Sequence, residues 1–235
     1  MDTAEQWRAC LDRAATVPLS GQGWRVCSSL APLATAQLVD SMDDLQLLER
    51  LLQPIEPQAS ATAPRLHPLL AQPWRGRPLP HGSRFGSRVS APLFYGGLSI
   101  ETALAEAAYQ RRQFWQGMSL APPSGRLIAE QTLFSFAYHC GAGLRLQSRA
   151  FQPHSDLLLT AESSAATRQL GDLLQDRAIS GFEYPSACCL DYGLNIALLT
   201  PKALSAGKPG ELQQWLSETT ATGVIFSDRQ RLLRF

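Results

Sequence analysis

Hydrophobic and polar positions along this chain switch between a helical and a two-residue period, and the order of the switches predicts a mixed molecule. Trp7, Cys10, Leu11, Ala14 and Ala15 repeat at helical spacing over residues 3–16, and Pro18 and Gly21 end the run. A short strand, Trp24-Arg25-Val26-Cys27, follows. Asp40-Ser41 suits the N-cap of a helix over residues 42–53, whose Leu45, Leu48, Leu51 and Leu52 share one face before Pro54 and Pro57 stop it. Residues 54–64 read as a linker, and residues 65–92 as irregular chain punctuated by Pro68, Pro73, Pro78, Pro80, Gly76, Gly82 and Gly86.

Leu93-Phe94-Tyr95 is a short strand closed by Gly96-Gly97. Ser99 then caps a helix to about Trp115, with Ile100, Ala103, Leu104, Ala107, Ala108 and Arg111 on one stripe. Strands fit residues 126–138, where Leu133, Ser135 and Ala137 alternate with Phe134, Phe136 and Tyr138, and a helix fits 163–176. The last third reads as strands near 178–183, 187–191 and 194–200, a helix over 210–219, and strands over 222–227 and 231–235. With no regular βαβ rhythm and no internal repeat, this order predicts an α+β fold, a compact mixed sheet core with flanking helices. Residues 1–64 read as a helical N-terminal extension and linker and residues 65–235 as the core, one continuous domain being the alternative.

Composition narrows the partners. Lys and Arg number 21 against 20 Asp and Glu, a formal charge of +1, which excludes a broad basic face for nucleic acid but not a local anion pocket. The five cysteines (Cys10, Cys27, Cys140, Cys188, Cys189) form neither a CxxC pair nor a disulfide framework, and reduced, mostly buried thiols are expected. The four histidines fall into no ligand pattern, so no metal is expected. Met1-Asp2-Thr3-Ala4-Glu5 lacks the basic start of a signal peptide, and no apolar run approaches the roughly 18–20 residues of a bilayer span. A cytoplasmic protein without direct nucleic-acid or membrane contact is the expectation.

Three stretches can carry chemistry. Pro73-Trp74-Arg75-Gly76-Arg77 and His81-Gly82-Ser83-Arg84-Phe85-Gly86 set arginines among glycines and prolines, a composition that suits a phosphate grip as well as a plain surface coil. Tyr95 stands at a strand end before two glycines, where its ring and hydroxyl can face a cleft. Glu106 lies opposite the apolar stripe of its helix, as an exposed glutamate does. Yet it is the only charge between Thr102 and Tyr109, among small residues that do not read as a solvated face. Ser186 follows Tyr184-Pro185 at a strand boundary, where a turn hydroxyl is the default, and it lacks the GxSxG elbow of a hydrolase nucleophile. Neither GxGxxG nor GxxxxGK[ST] occurs.

Taken in order, these segments resemble the RES family, named for an Arg, a Glu and a Ser, and most of all its longer members with a helical N-terminal extension. The matching stretches are Leu-Val-Asp-Ser at 38–41, Leu-His-Pro-Leu-Leu at 66–70, Pro-Trp-Arg at 73–75 and His-Gly-Ser-Arg-Phe-Gly at 81–86. Phe-Tyr-Gly-Gly at 94–97, Glu-Thr-Ala-Leu-Ala-Glu-Ala-Ala-Tyr at 101–109, Tyr-Pro-Ser at 184–186 and Asn-Ile-Ala-Leu-Leu at 195–199 complete them. The resemblance implies a core similar to ADP-ribosyltransferase toxins, and a toxin that consumes NAD by hydrolysis or phosphorolysis, with NAD as substrate, inorganic phosphate as a possible co-substrate and no further cofactor. It also implies an Xre-type antitoxin partner. Carried over by motif, Arg84, Tyr95, Glu106 and Ser186 are the catalytic candidates, spaced 11 residues from Arg84 to Tyr95 and 11 from Tyr95 to Glu106. Arg75, Arg84, Tyr95 and Asn195 are the candidates for holding the dinucleotide; Arg25 in Trp-Arg-Val is the rival to Arg75, and Gly76 stands where many relatives carry a Tyr. In these roles Glu106 opposes positive charge on the ribose, the arginines hold the pyrophosphate, Tyr95 packs on the nicotinamide or its ribose, and Ser186 fixes the nicotinamide end. A protein-modifying ADP-ribosyltransferase is the alternative on the same site, and a non-catalytic binding module the alternative of another class. The first 70 residues cover the core, form a homo-oligomer contact or dock the partner.

Overall fold

A computed structural model describes residues 2–28, 47, 66–75, 82–160, 164–189 and 193–235. The helix expected over 42–53 and the linker expected at 54–64 lie, Leu47 apart, outside the described residues. Helix α1 (Thr3–Arg13) is followed by strand β1 (Val17–Ser28), which extends the expected four-residue strand to twelve. Within the stretch expected to be irregular, Pro68–Arg75 forms helix α2. Its Leu70 is fully buried and its Trp74 ring stacks on Phe94 at 5.5 Å, so tertiary burial stabilises a helix that its own Pro73 weakens.

Strand β2 (Phe94–Gly97) leads into α3 (Ile100–Gln116), capped as expected by Ser99, whose Oγ accepts from the Thr102 N–H at 3.1 Å. The long β3 (Leu127–Arg145), the short α4 (Ser155–Leu159) and α5 (Ala165–Asp176) precede β4 (Gly181–Pro185) and β5 (Leu194–Leu198). The chain ends in a meander, β6 (Leu212–Thr219), β7 (Val224–Ser227) and β8 (Leu232–Arg234). The helix expected over 210–219 is therefore a strand. Leu212, Trp215, Leu216 and Thr219 mimic helical spacing, but Trp215, Ser217 and Thr219 are buried and alternate with Leu216 and Glu218, and pairing with β3 from Leu127↔Thr219 to Phe134↔Leu212 decides the matter. Residues 187–189, expected in a strand, form a bend.

The strands form one mixed sheet in the order β1-β2-β5-β4-β3-β6-β7-β8, and β1 also pairs with β3, so the first five strands close on themselves. Only β3 and β4 run parallel. The fold is α+β. Residues 3–28 take part in it directly, through β1 in the sheet and through Trp7, which is fully buried in one core cluster with Phe85, Phe182 and Tyr184. A second cluster gathers Phe94, Phe134, Phe136 and Ile196, and a third sets α3 against Leu133, Trp215 and Phe226. Gly97 makes the second and third compatible: a Cβ there would stand 2.5 Å from the Ala103 nitrogen, so only glycine lets α3 start this close to β2.

The same crowding fixes α5 against the loop before β2. A Cβ on Gly171 would stand 1.8 Å from the Phe85 carbonyl oxygen. Gly171→Ala is expected to destabilise the protein by about 1–3 kcal/mol in urea unfolding, as overpacked interiors do, and an unchanged midpoint would refute this packing.

Candidate active site

Strand alternation decides which side chains meet. On β2, Phe94 enters the second cluster and Tyr95 packs on the first. Register pairs Tyr95 with Ala197 and Tyr184 with Asn195, which sets Tyr95, Tyr184 and Asn195 on one face. The Tyr95 and Tyr184 rings meet edge to face at 6.5 Å, and Phe85 wedges against Tyr184 and Phe182, 4.8 Å from each.

Onto this face α3 brings Glu106, half-buried. Its Oε1 accepts from Ser186 Oγ at 2.8 Å and from Asn195 Nδ2 at 2.6 Å, and the same carboxylate acts on the neighbouring Cys188 thiol. Ser186 and Asn195 are 2% and 1% exposed, so both act on Glu106 from beneath. The Ser186 hydroxyl is fully engaged, since Oγ also accepts from the Cys188 and Cys189 N–H groups at 3.1 Å. These two bonds satisfy the backbone of the loop where a strand had been expected. The Asn195 Oδ1 is buried with no partner among the described residues.

Arg84 is aimed by its loop. Ser83 Oγ and Tyr95 Oη share a hydrogen bond of 2.8 Å, the Phe85 N–H donates to Tyr95 Oη at 3.2 Å, and Thr167 Oγ1 donates to the Arg84 carbonyl at 2.5 Å. The Arg84 guanidinium donates to the Leu158 and Thr160 carbonyls at 2.5 and 3.2 Å, at the end of α4, and its Nε is buried without a partner among the described residues. Arg25 enters from β1, donates to the Tyr95 carbonyl at 2.7 Å and lies 4.9 Å over the Phe94 ring. Its Nε is sealed from solvent with no hydrogen-bond partner among the described residues, and burial lowers its pKa against the opposing pull of Cys27, Tyr184 and Tyr95. Among the described residues no carboxylate pairs with Arg25 or Arg84.

Electrostatics link the two halves. Burial pushes the Tyr184 phenol well above its ordinary range, Glu106 and Tyr95 push it further, and Arg84 opposes them. Burial likewise raises Tyr95 against its bonds to Ser83 and Phe85 and the charges of Arg84 and Arg25. Both phenols therefore remain neutral donors at physiological pH.

Hydrogen bonds thus join Glu106, Ser186 and Asn195, Tyr95 meets Tyr184 on the same face, and Arg84 acts on Tyr184 and Cys188 through its charge. The helical period had set Glu106 on the outer face of α3; the β4–β5 loop lies over that face and makes it a lining residue. Arg75 closes α2 and its side chain lies outside the described residues, as do Arg77 and His81. Arg25, the rival to Arg75, reaches only the Tyr95 main-chain carbonyl, from the Phe94 side of β2. Tyr184 and Cys188 were not among the expected site residues. Tyr184 carries one signal, the two-residue alternation with Phe182 beside the Ser186 motif, whereas nothing local marks Cys188. Among the described residues no group of three or more His, Cys, Asp or Glu side chains can hold a metal, and no helix is long and apolar enough to cross a membrane.

A family model described as the RES domain matches residues 61–217. No curated protein matches the chain. Among solved structures it is similar to one described as the M. tuberculosis MbcT–MbcA toxin–antitoxin complex, with 12% identity over 94% of this chain and 93% of that chain and a TM-score of 0.48.

Two outcomes follow from the bonding around Glu106. Ser186→Ala leaves two loop N–H groups without an acceptor and removes a donor from a carboxylate, at a cost of about 1–3 kcal/mol in urea unfolding; wild-type stability would contradict it. Burial first, then the Glu106 carboxylate, push the Cys188 thiol up to about 12, with Arg84 and Arg112 opposing. A folded value above the ordinary one means that the thiol's contribution to stability is complete below about pH 9 and is lost as the pH rises towards 12. At pH 8.5 iodoacetamide is expected to modify Cys188 on the order of a hundredfold more slowly in the folded protein than in urea, by peptide mass spectrometry, and equal rates would overturn the assignment.

Proposed function

The chain belongs to the RES domain family, and on that premise we propose that it is an NAD-consuming toxin that breaks the bond between nicotinamide and ribose. The observation that carries this reading is the Glu106 carboxylate, gripped at one oxygen by Ser186 and Asn195 beside two neutral phenols. The scissile bond joins a pyridinium nitrogen to the ribose C1″. When it breaks, its electron pair goes to the nitrogen and neutralises the ring, so nicotinamide departs without a proton. The ribose acquires oxocarbenium character. Glu106 faces that positive charge and accepts from the ribose hydroxyls, and because its orientation is already set, the stabilisation grows as charge develops.

An anionic substrate also accounts for Arg84. Half-buried, it has no carboxylate to pair with among the described residues, and an uncompensated guanidinium in that setting favours an anion. The pyrophosphate of NAD supplies the missing charge, while Tyr95 and Tyr184 offer ring edges to the nicotinamide riboside. Ser186, buried and fully bonded, acts here through Glu106 as a positioning residue. The incoming oxygen comes from water, whose proton passes by way of Glu106 to solvent, or from inorganic phosphate, which needs no base. An Xre-type antitoxin that occupies the same cleft, implied by the resemblance, completes the proposal.

Purified protein is expected to deplete NAD and release nicotinamide, and Glu106→Gln to slow this by about a thousandfold while remaining folded. Mass spectrometry of the second product decides the acceptor: ADP-ribose for water, ADP-ribose 1″-phosphate for phosphate, an adduct on protein for transfer. Undiminished turnover by Glu106→Gln would remove the basis of the proposal.

A further inference from the structure

The hydroxyls of Ser186, Tyr95 and Tyr184 stand in one site but are bonded differently. Ser186 Oγ is used up by one donated and two accepted bonds. Tyr95 Oη makes both of its bonds to the loop that aims Arg84, with Ser83 Oγ at 2.8 Å and the Phe85 N–H at 3.2 Å. The same Ser83 Oγ accepts from the Gly86 N–H at 3.0 Å and so closes that loop. Tyr184 differs. It is 3% exposed, and its ring is clamped edge to face by Phe85 at 4.8 Å and Tyr95 at 6.5 Å, yet among the described residues nothing hydrogen-bonds to its hydroxyl. Nor is that oxygen sealed off, as the unpartnered Oδ1 of Asn195 and Nε of Arg84 are. A buried phenol ordinarily finds a partner, so an open and unpaired one in a rigid setting points to a ligand.

Its position narrows the ligand atom. Register sets Tyr184 opposite Asn195, which grips Glu106, and of the charges that act on the phenol Glu106 outweighs Arg84. The hydroxyl therefore lies towards the glycosidic end of the site. A nicotinamide riboside brings three kinds of acceptor there. Its ribose hydroxyls already serve Glu106, and its ring oxygen turns positive as the bond breaks, which repels a donor. The carboxamide oxygen behaves in the opposite way. As the electron pair arrives on the pyridine nitrogen the ring loses its positive charge, this oxygen becomes a better acceptor, and a hydrogen bond to it strengthens. Resting on the reading that Glu106 cleaves a nicotinamide glycoside, we propose that Tyr184 Oη donates to the carboxamide oxygen of the departing ring, and that Tyr95, the motif residue, is a positioning residue that aims Arg84.

The test changes one atom on each side of the bond. Wild type, Tyr184→Phe and Tyr95→Phe are each assayed with NAD and with its thionicotinamide analogue, whose sulfur is a poor acceptor. Tyr184→Phe is expected to lose about tenfold in kcat/KM for NAD, mostly in kcat, and little for the analogue, so that the preference for oxygen over sulfur falls about tenfold. Tyr95→Phe keeps that preference and loses through KM, as a disturbed phosphate grip does. Urea unfolding gives a second readout. Removal of an unpaired hydroxyl leaves Tyr184→Phe at least as stable as wild type, whereas Tyr95→Phe loses two bonds and unfolds at lower urea. An equal loss on both substrates for Tyr184→Phe, a lowered midpoint for that variant, or loss of the oxygen preference in Tyr95→Phe instead overturns the proposal. If the wild type cleaves neither dinucleotide, the glycosidic reading fails by itself, and titration calorimetry then judges the hydroxyl. Nicotinamide is expected to bind wild type about tenfold more tightly than Tyr184→Phe, and equal affinities reject the assignment.

Discussion

A single carboxylate oxygen ties helix α3 to the neighbouring ends of β4 and β5, far away in sequence. Glu106 Oε1 on α3 receives a hydroxyl from the end of β4 and an amide from the start of β5, 80 and 89 residues away. Bonds to a charged acceptor in a half-buried setting are strong and directional, and they fix the rotation of α3 against the β4–β5 pair. That rotation also turns the Ala105–Arg112 face of α3 towards β8. The carboxylate of the site is in this sense also a structural pin, and chemistry and architecture share one interaction.

The opposite side of the site is built from apolar contacts. Phe85, fully buried, wedges between Phe182 and Tyr184, and the loop that carries it is tied to α5 by Thr167 and to β2 by Tyr95. Arg84 therefore leaves the loop in one direction only. The chain as a whole is nearly neutral at +1, yet Arg84 has no ion-pair partner among the described residues, whereas other arginines, such as Arg145 with Glu183 and Arg231 with Asp228, are paired. Local clustering governs recognition, and net charge does not report it.

Some elements were legible in the sequence for plain reasons. Ser99 before a helical stripe, the paired glycines after Tyr95 and the alternation along residues 133–138 each encode a local geometry that packing keeps. Where packing overrode local spacing, the reading departed from the structure: β6 looks helical until β3 offers it a hydrogen-bonded edge, and α2 contains Pro73 yet persists because Leu70 and Trp74 are buried. The order and spacing of Arg84, Tyr95, Glu106 and Ser186 marked the site through resemblance, since single residues of these types are common on any surface.

By itself, then, the sequence determined the element types with a strong period, which depend on neighbours within a few positions, and the near-neutral charge of +1, while the order of its motifs singled out the candidate groups. Tertiary structure alone decided that Glu106 meets Ser186 and Asn195 and that Tyr184 packs edge to face on Tyr95 beside them. Those contacts span tens of residues and arise from strand register and from the close approach of α3 to β2, quantities that no local pattern of side chains encodes.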